Sequence, residues 1–108
     1  MKNTNKIIDK NTEKQLVRLL TEVCEQHKFI TDGFSWLTHT LNTKRSANSL
    51  QVICIFTHQQ SLDNAINSKQ ADNLRNDILT VMATLKLDVS VPLRLVKFGI
   101  DEHYQGYH

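Results

Sequence analysis

Glycine is scarce in this chain, and its scarcity excludes the commonest phosphate-binding loops. The 108 residues include three glycines, Gly33, Gly99 and Gly106, which are too few and too dispersed for a glycine-rich loop. Without such a loop the backbone N–H groups cannot approach and surround a phosphate in the way that nucleotide-binding motifs require. The sequence therefore excludes a nucleotide site of the glycine-rich type.

Long apolar runs and cysteines are also scarce. The longest strongly apolar run, residues 52–56, is far shorter than the roughly 20 residues that a membrane helix needs. Cys24 falls on the apolar face of a predicted helix and Cys54 inside a predicted strand, where free thiols pack as small hydrophobic groups. Because the lysine-bearing N-terminus also lacks the pattern of a secretion signal, we expect a cytoplasmic protein without membrane segments.

Size and charge indicate one globular domain without naming its partner. The apolar fraction is 40% and the charged fraction 22%, which are ordinary globular values. Residues 1–54 carry eight basic and five acidic side chains, and residues 55–108 carry five and six. This excess is smaller than that of most nucleic-acid-binding domains, although a local basic patch can still neutralise several phosphates.

The N-terminal half predicts a helix followed by a hairpin. Residues 1–10 offer little to bury and are expected to form a flexible arm. Thr12 and Gln15 fit a capping box, and apolar residues at helical spacing then predict a helix over 13–28. After a turn, alternating residues predict a strand over 34–39 and, beyond a polar loop, a central strand over 50–56 that is apolar on both faces.

The C-terminal half predicts two helices and a third strand. Ser61 is the expected cap of a short helix, a break is expected near Ser68, and a longer helix follows. Pro92 is expected to open the last strand, and 102–108 to form a flexible tail. The predicted fold is a single two-layer α+β domain over 11–101. Its order is αββααβ, with the helices on one face of a three-stranded mixed sheet.

Candidate catalytic groups are few. Cys54 and His58 share a strand face but lie about 13 Å apart, which is too far for one metal ion. His39 is expected to be an ordinary hydrogen-bonded sheet residue. An enzyme centred on His39 and His58 would require a concave pocket that joins them. Most aromatic side chains are predicted to lie in the core. Trp36 on the first strand either covers the core, which is the favoured interpretation, or presents an interaction surface.

Two strand motifs resemble a known group of proteins. The segments FSWLTH (34–39) and SLQVICIF (49–56), joined by a polar hairpin, resemble short uncharacterised bacterial proteins that are sometimes called Fis-family transcriptional regulators. The resemblance covers about residues 8–101 and implies a regulator. Residues 61–101, however, predict a helix, a proline and a strand where a Fis-type protein has a helix-turn-helix.

The element order is in turn similar to that of type II KH domains and BolA-like proteins. This similarity implies a module that binds RNA or protein rather than a catalyst. KH domains clamp the nucleic-acid backbone with a Gly-x-x-Gly loop between two helices. The corresponding segment here, residues 66–71, contains no glycine.

The sequence leaves two main hypotheses, neither of which needs a cofactor. The first is a non-enzymatic KH-like or BolA-like domain that binds nucleic acid or a ribonucleoprotein through four basic residues. These residues are Lys44, Arg45, Lys69 and Arg75. The second is a protein-interaction adaptor that uses the sheet face around Trp36 and Leu37. Clustering of the basic residues would favour the first hypothesis, and an exposed apolar patch would favour the second.

Overall fold

The helices and strands follow the predicted α+β order. The computed structural model of the chain describes residues 7–87 and 92–101. Their bounds are α1 (Lys10–Ile30), β1 (Phe34–Thr40), β2 (Gln51–Phe56), α2 (Gln59–Asn67), α3 (Gln70–Thr84), α4 (Pro92–Leu95) and β3 (Val96–Ile100). Within these two ranges no helix combines the length and apolarity needed to cross a membrane. The predicted tail, residues 102–108, lies outside the described residues.

Helix α1 is longer than predicted because an aspartate caps it earlier. The Asp9 side chain accepts a hydrogen bond from the Thr12 backbone N–H at 2.7 Å. The predicted capping box at Thr12 and Gln15 is therefore wrong. An aspartate at this position satisfies an N–H group of the first turn and places a negative charge at the positive end of the helix dipole.

The segment before α1 packs against the fold. Ile8 is completely buried, and its N–H donates to the Arg45 carbonyl at 2.8 Å. Ile7 forms an isolated antiparallel bridge with Ser46. The flexible arm predicted for residues 1–10 is thus wrong for residues 7–10, because one apolar side chain reaches the core and the backbone around it pairs with the β1–β2 loop. Residues 1–6 lie outside the described residues.

The three strands form one mixed sheet in the order β1-β2-β3. Strand β2 pairs antiparallel with β1 and parallel with β3, so it is central as predicted. A bulge lies between Phe34 and Trp36 in β1. Beyond it, Leu37 is opposite the core residue Cys54 and faces the helices, and Trp36 faces the other side of the sheet because successive side chains alternate.

Helices α1, α2 and α3 bury their apolar residues against the Leu37 side of the sheet. The largest contributions come from Leu16 and Leu20 of α1, Val52 and Phe56 of β2, and Leu74, Ile78 and Met82 of α3. The predicted break between α2 and α3 is confirmed: Ser68 ends α2, and Lys69 adopts a left-handed backbone conformation with φ of 71°.

Two predicted element starts in the C-terminal half are wrong. Helix α2 begins at Gln59, so Ser61 lies inside its first turn instead of capping it. Pro92 opens the helical turn α4, and β3 begins only at Val96. Proline suits both a strand edge and the first position of a helix, since its φ fits a helix and its missing N–H is not needed there.

Candidate functional site

Arg45 connects three segments of the chain near the N-terminus of α1. Its Nε donates a hydrogen bond to the Ile8 carbonyl at 2.9 Å, and its Nη2 donates to Glu13 Oε1. His39 Nε2 donates to the other carboxylate oxygen, Oε2, at 2.8 Å, so His39 is the hydrogen-bonded sheet residue that was predicted. We refer to Glu13, His39 and Arg45 as the Glu13 cluster.

The Glu13 cluster is a structural tie between α1, β1 and the β1–β2 loop. Hydrogen bonds from His39 and from Arg45 hold the pKa of Glu13 below its usual range. A carboxylate held in its ionised form is poorly suited to act as a general acid or base near neutral pH. Arg45, a predicted nucleic-acid contact, therefore uses much of its donor capacity inside the protein.

The remaining basic residues predicted to contact nucleic acid do not join Arg45 in one patch. Lys44 is exposed beside Arg45 at the N-terminal end of α1. Lys69 is exposed at the opposite end, where its neighbour Gln70 donates to the Ile30 carbonyl at 3.1 Å. The two ends of the 21-residue helix α1 are roughly 30 Å apart, at about 1.5 Å of rise per helical residue.

Arg75, the fourth predicted contact, is used within the fold. Its Nη1 donates to Asp72 Oδ1 at 3.2 Å, and its guanidinium carbon lies 5.2 Å from the centroid of the Phe98 ring. Its Nε is buried without a hydrogen-bond partner among the described residues. Stacking of the guanidinium on the ring accounts for its position. Only Lys44 and Lys69 of the four thus present exposed ammonium groups, and they lie at opposite ends of the domain.

The predicted interaction surface around Trp36 and Leu37 is divided between two faces of β1. Leu37 faces the helices and packs against the core. Trp36 faces the other side, where its Nε1 donates to Asp101 Oδ1 at 3.4 Å. Two consecutive strand residues cannot share a face unless a bulge lies between them, and the bulge of β1 precedes Trp36. The structure therefore does not bring these two residues together.

The two histidines of the enzyme hypothesis are also well separated. His39 lies opposite Val52, near the start of β2, and His58 follows the end of that strand. Six residues of extended chain separate Val52 from His58, which corresponds to roughly 20 Å. Within the described ranges, no three His, Cys, Asp or Glu side chains are grouped so that they could hold a metal ion.

A cluster of polar side chains that the sequence did not predict holds the C-terminal end of α1: His27, Thr31 and Asp77. His27 is completely buried. Its Nε2 donates to Asp77 Oδ2 in α3 at 2.7 Å, and its Nδ1 lies 2.6 Å from Thr31 Oγ1, from which it accepts when neutral. The order hydroxyl, imidazole, carboxylate is that of a catalytic triad. Thr31 is only 2% exposed, however, so a substrate cannot reach its hydroxyl.

Cys54 adds no reactive group. Cys54 is buried, and burial raises the pKa of its thiol to about 12, so it stays protonated at neutral pH. The thiolate is the nucleophilic form of cysteine, which makes Cys54 inert. Cys24 is half-buried on α1, and the two thiols are free as predicted.

The most unusual exposed residues lie at the C-terminal end of α1. Phe29 is 90% exposed, Ile30 is 53% exposed, and Ile66 at the end of α2 is 51% exposed. Hydrogen bonds connect two of them to the segment between α2 and α3: Lys69 N–H donates to the Ile66 carbonyl, and the Gln70 side chain donates to the Ile30 carbonyl. We refer to Phe29, Ile30 and Ile66 as the α1 end patch.

Phe29 is an exception to the expectation that most aromatic residues lie in the core. His27 faces the core, and a residue two positions further along a helix points to nearly the opposite side. The helix phase therefore directs the Phe29 ring into solvent. The signal was present in the sequence, since Leu16, Leu20, Val23 and His27 recur at helical spacing and Phe29 does not continue their row.

Comparison with known proteins adds no assignment to this geometry. No family model, no curated protein and no solved structure matches the chain. The resemblance to Fis-family proteins and the similarity to KH and BolA-like domains stay predictions.

Proposed function

We propose that this protein is a non-enzymatic interaction module that binds a protein partner through the α1 end patch. The observation that supports the proposal best is the 90% exposure of Phe29, together with the half exposure of Ile30 and Ile66. Full burial of one such side chain contributes roughly 1.5–3 kcal/mol. A phenylalanine that contributes so little to its own fold is available to a partner.

The patch is presented on a fixed support. His27, two residues before Phe29, connects α1 to α3 through Asp77. Gln70 connects the last turn of α1 to the start of α3. A rigid aromatic group loses little conformational entropy on binding, and such groups dominate the energy of many interfaces. The end of α1 therefore has the properties of a preformed anchor.

The charges around the patch indicate the partner's chemistry. Lys28 precedes Phe29 on α1. Lys69 is exposed in the segment between α2 and α3, directly before Gln70. Lys28 Nζ lies 3.5 Å from Glu25 Oε2, and the Lys69 side chain is exposed. We expect an apolar partner surface with an acidic rim, since the rim of an interface carries its polar and charged contacts.

A second candidate function is binding of single-stranded nucleic acid at the same end. Lys69 lies in the segment between two helices that corresponds to the KH backbone clamp, and the Phe29 ring is exposed for stacking on a base. The separation of Lys69 from Lys44 and Arg45 makes this the weaker candidate, because few phosphates can be neutralised at one end of the domain.

Site-specific photocrosslinking distinguishes the two candidates. The full chain is expressed in its native cells with a photoreactive benzoylphenylalanine in place of Phe29, and a control carries it at the exposed Thr80 of α3. We expect a discrete adduct at position 29 that is resistant to nuclease and disappears in the Ile66→Asp background. A nuclease-sensitive adduct would support the second candidate. Identical adducts at positions 29 and 80 would contradict both.

A further inference from the structure

The two edge strands of the sheet differ in their protection against pairing with another strand. Strand β3 has five residues and carries the exposed Lys97. Strand β1 has seven residues, FSWLTHT, without Lys, Arg, Asp, Glu or Pro. Natural edge strands are usually protected by charges, prolines or shortness. Apart from the bulge near one end, β1 has none of these devices, and no described strand pairs with its outer edge.

A groove runs between this edge and α1. It has a volume of about 290 Å³, and its walls include Val17 and Thr21 of α1 and Leu37 of β1. Val17, on the wall of this groove, is 45% exposed. The outer edge of β1 and an open groove therefore lie on the same side of the domain.

The exposed residues of α1 on this side have a self-complementary order. Lys14, Val17, Thr21 and Glu25 are all exposed and recur at intervals of three or four residues, so they form one row. We refer to them as the α1 edge row. The row is basic at one end, uncharged in the middle and acidic at the other. When two such rows lie antiparallel, each Lys14 lies beside a Glu25 and each Val17 beside a Thr21.

We propose that the β1 edge and the α1 edge row bind a second copy of this chain. In the resulting dimer the two β1 strands pair antiparallel around a two-fold axis near Leu37, the middle residue of the strand. Alternate residues of an edge strand direct their N–H and C=O groups away from the sheet, and here these groups pair with those of the copy. The two three-stranded sheets become one six-stranded sheet.

The register of the helices agrees with that of the strands. Helix α1 runs antiparallel to β1, since Glu13 contacts His39, and Leu20, Thr21 and Cys24 line the groove with Leu37. An axis near Leu37 therefore passes close to residues 19–21 of α1. An antiparallel pair of helices centred there brings Lys14 of each copy beside Glu25 of the other. Strand pairing and charge pairing thus require the same axis, which favours a second copy over an unrelated peptide.

Charge reversals provide the test, with sedimentation equilibrium of the full chain as the measurement. The single variants Lys14→Glu and Glu25→Lys each place like charges together, and we expect each to weaken self-association about tenfold. An equimolar mixture of the two variants is expected to form a heterodimer at least as tight as the parent dimer, because one chain then carries two acidic ends and the other two basic ends. The double variant is expected to recover the parent affinity.

The matched control is Glu22→Lys, which reverses an exposed charge on the same helix outside the α1 edge row. It is expected to leave self-association unchanged. Backbone amides of β1 are expected to become more protected from hydrogen exchange as the protein concentration rises. A parent chain that stays monomeric up to about 1 mM would overturn the proposal. So would an effect of Glu22→Lys equal to that of Glu25→Lys, or a mixture that fails to associate.

Discussion

The two ends of α1 are both held by a histidine and a carboxylate, but in opposite surroundings. At the N-terminal end, the Glu13 cluster is partly exposed, with 27% of the Glu13 side chain and 18% of the His39 side chain accessible to solvent. At the C-terminal end the His27 side chain is completely inaccessible, although its partner Asp77 is 45% exposed. The imidazole is therefore partly accessible to water at the N-terminal end and inaccessible at the C-terminal end.

This difference in burial predicts that the two histidine–carboxylate pairs contribute differently to stability. A partly exposed ion pair contributes little to stability, because water screens it and competes for its hydrogen bonds. A buried hydrogen-bonded side chain is costly to remove, since its partners lose their bonds and a cavity stays behind. The C-terminal end is thus the rigid one, and it is also the end that carries the exposed Phe29.

The largest expected effect is the loss of His27. His27→Ala leaves the Thr31 hydroxyl unsatisfied and opens a cavity, so we expect it to lower the free energy of unfolding by about 3–4 kcal/mol. The matched change at the other end, His39→Ala, is expected to cost about 1 kcal/mol or less. Urea denaturation of both variants measures the difference. Equal losses would show that burial does not distinguish the two ends.

Close packing at the C-terminal end gives the second prediction. Gly33 has a φ of 79°, and a Cβ at this position would overlap the Ser61 side chain. Gly33→Ala is expected to cost about 2–3 kcal/mol, from overpacking together with left-handed strain.

The Ser61→Gly background separates these two contributions. The nearest atom that then stays within 4 Å of the new Cβ is the Ser61 Cα, at 3.5 Å. Gly33→Ala should cost only about 1 kcal/mol in that background, which is the strain alone. A cost unchanged by Ser61→Gly would show that α2 does not confine this end of the chain.

Local patterns in the sequence predicted the sheet and the main helices. The stripe that includes Leu74 and Ile78 identified α3, and the run 52–56 identified the central strand. These predictions succeeded because each depends on residues within one element. The predicted start of a helix was wrong where two nearby residues could each cap it, as with Asp9 and Thr12 before α1.

The polar ties could be predicted only in part. The position of His27 on the apolar stripe of α1 marks it as buried. Its partner Asp77 is 50 residues away along the chain, and nothing local indicates the contact. Arg45 reaches Glu13 across 32 residues for the same reason. A basic residue that the sequence suggests is available to bind nucleic acid can therefore be recognised as part of an internal ion pair only when the fold is known.

A smaller, pH-dependent effect is expected at the N-terminal end. Hydrogen bonds lower the pKa of Glu13 in the folded state, so its stabilisation is present above the unfolded value of 4.5 and is lost as the pH falls through the folded value. Glu13→Gln should cost about 1 kcal/mol or less at pH 7, and this cost should decline below pH 4.5.

Denaturant midpoints of the parent and the variant between neutral and acidic pH measure this dependence. The control is Glu22→Gln, because Glu22 forms an exposed pair with Arg18 at 3.6 Å and lies outside the cluster. The control is expected to show a difference that does not vary with pH. A Glu13→Gln cost that persists at low pH would assign the effect to packing instead of charge.

The smallest expected effect belongs to the most exposed aromatic residue. Phe29→Ser should change the free energy of unfolding by no more than about 0.5 kcal/mol, because the ring loses few contacts when it is removed. His27→Ala, only two residues away, should cost several times as much. If Phe29→Ser instead destabilises the fold by more than about 1 kcal/mol, the ring has a structural role in the monomer and is less available as an anchor. Two results together would separate binding from folding at this end of α1. Phe29→Ser would leave the free energy of unfolding nearly unchanged, and Ile66→Asp would abolish the crosslinked adduct at position 29.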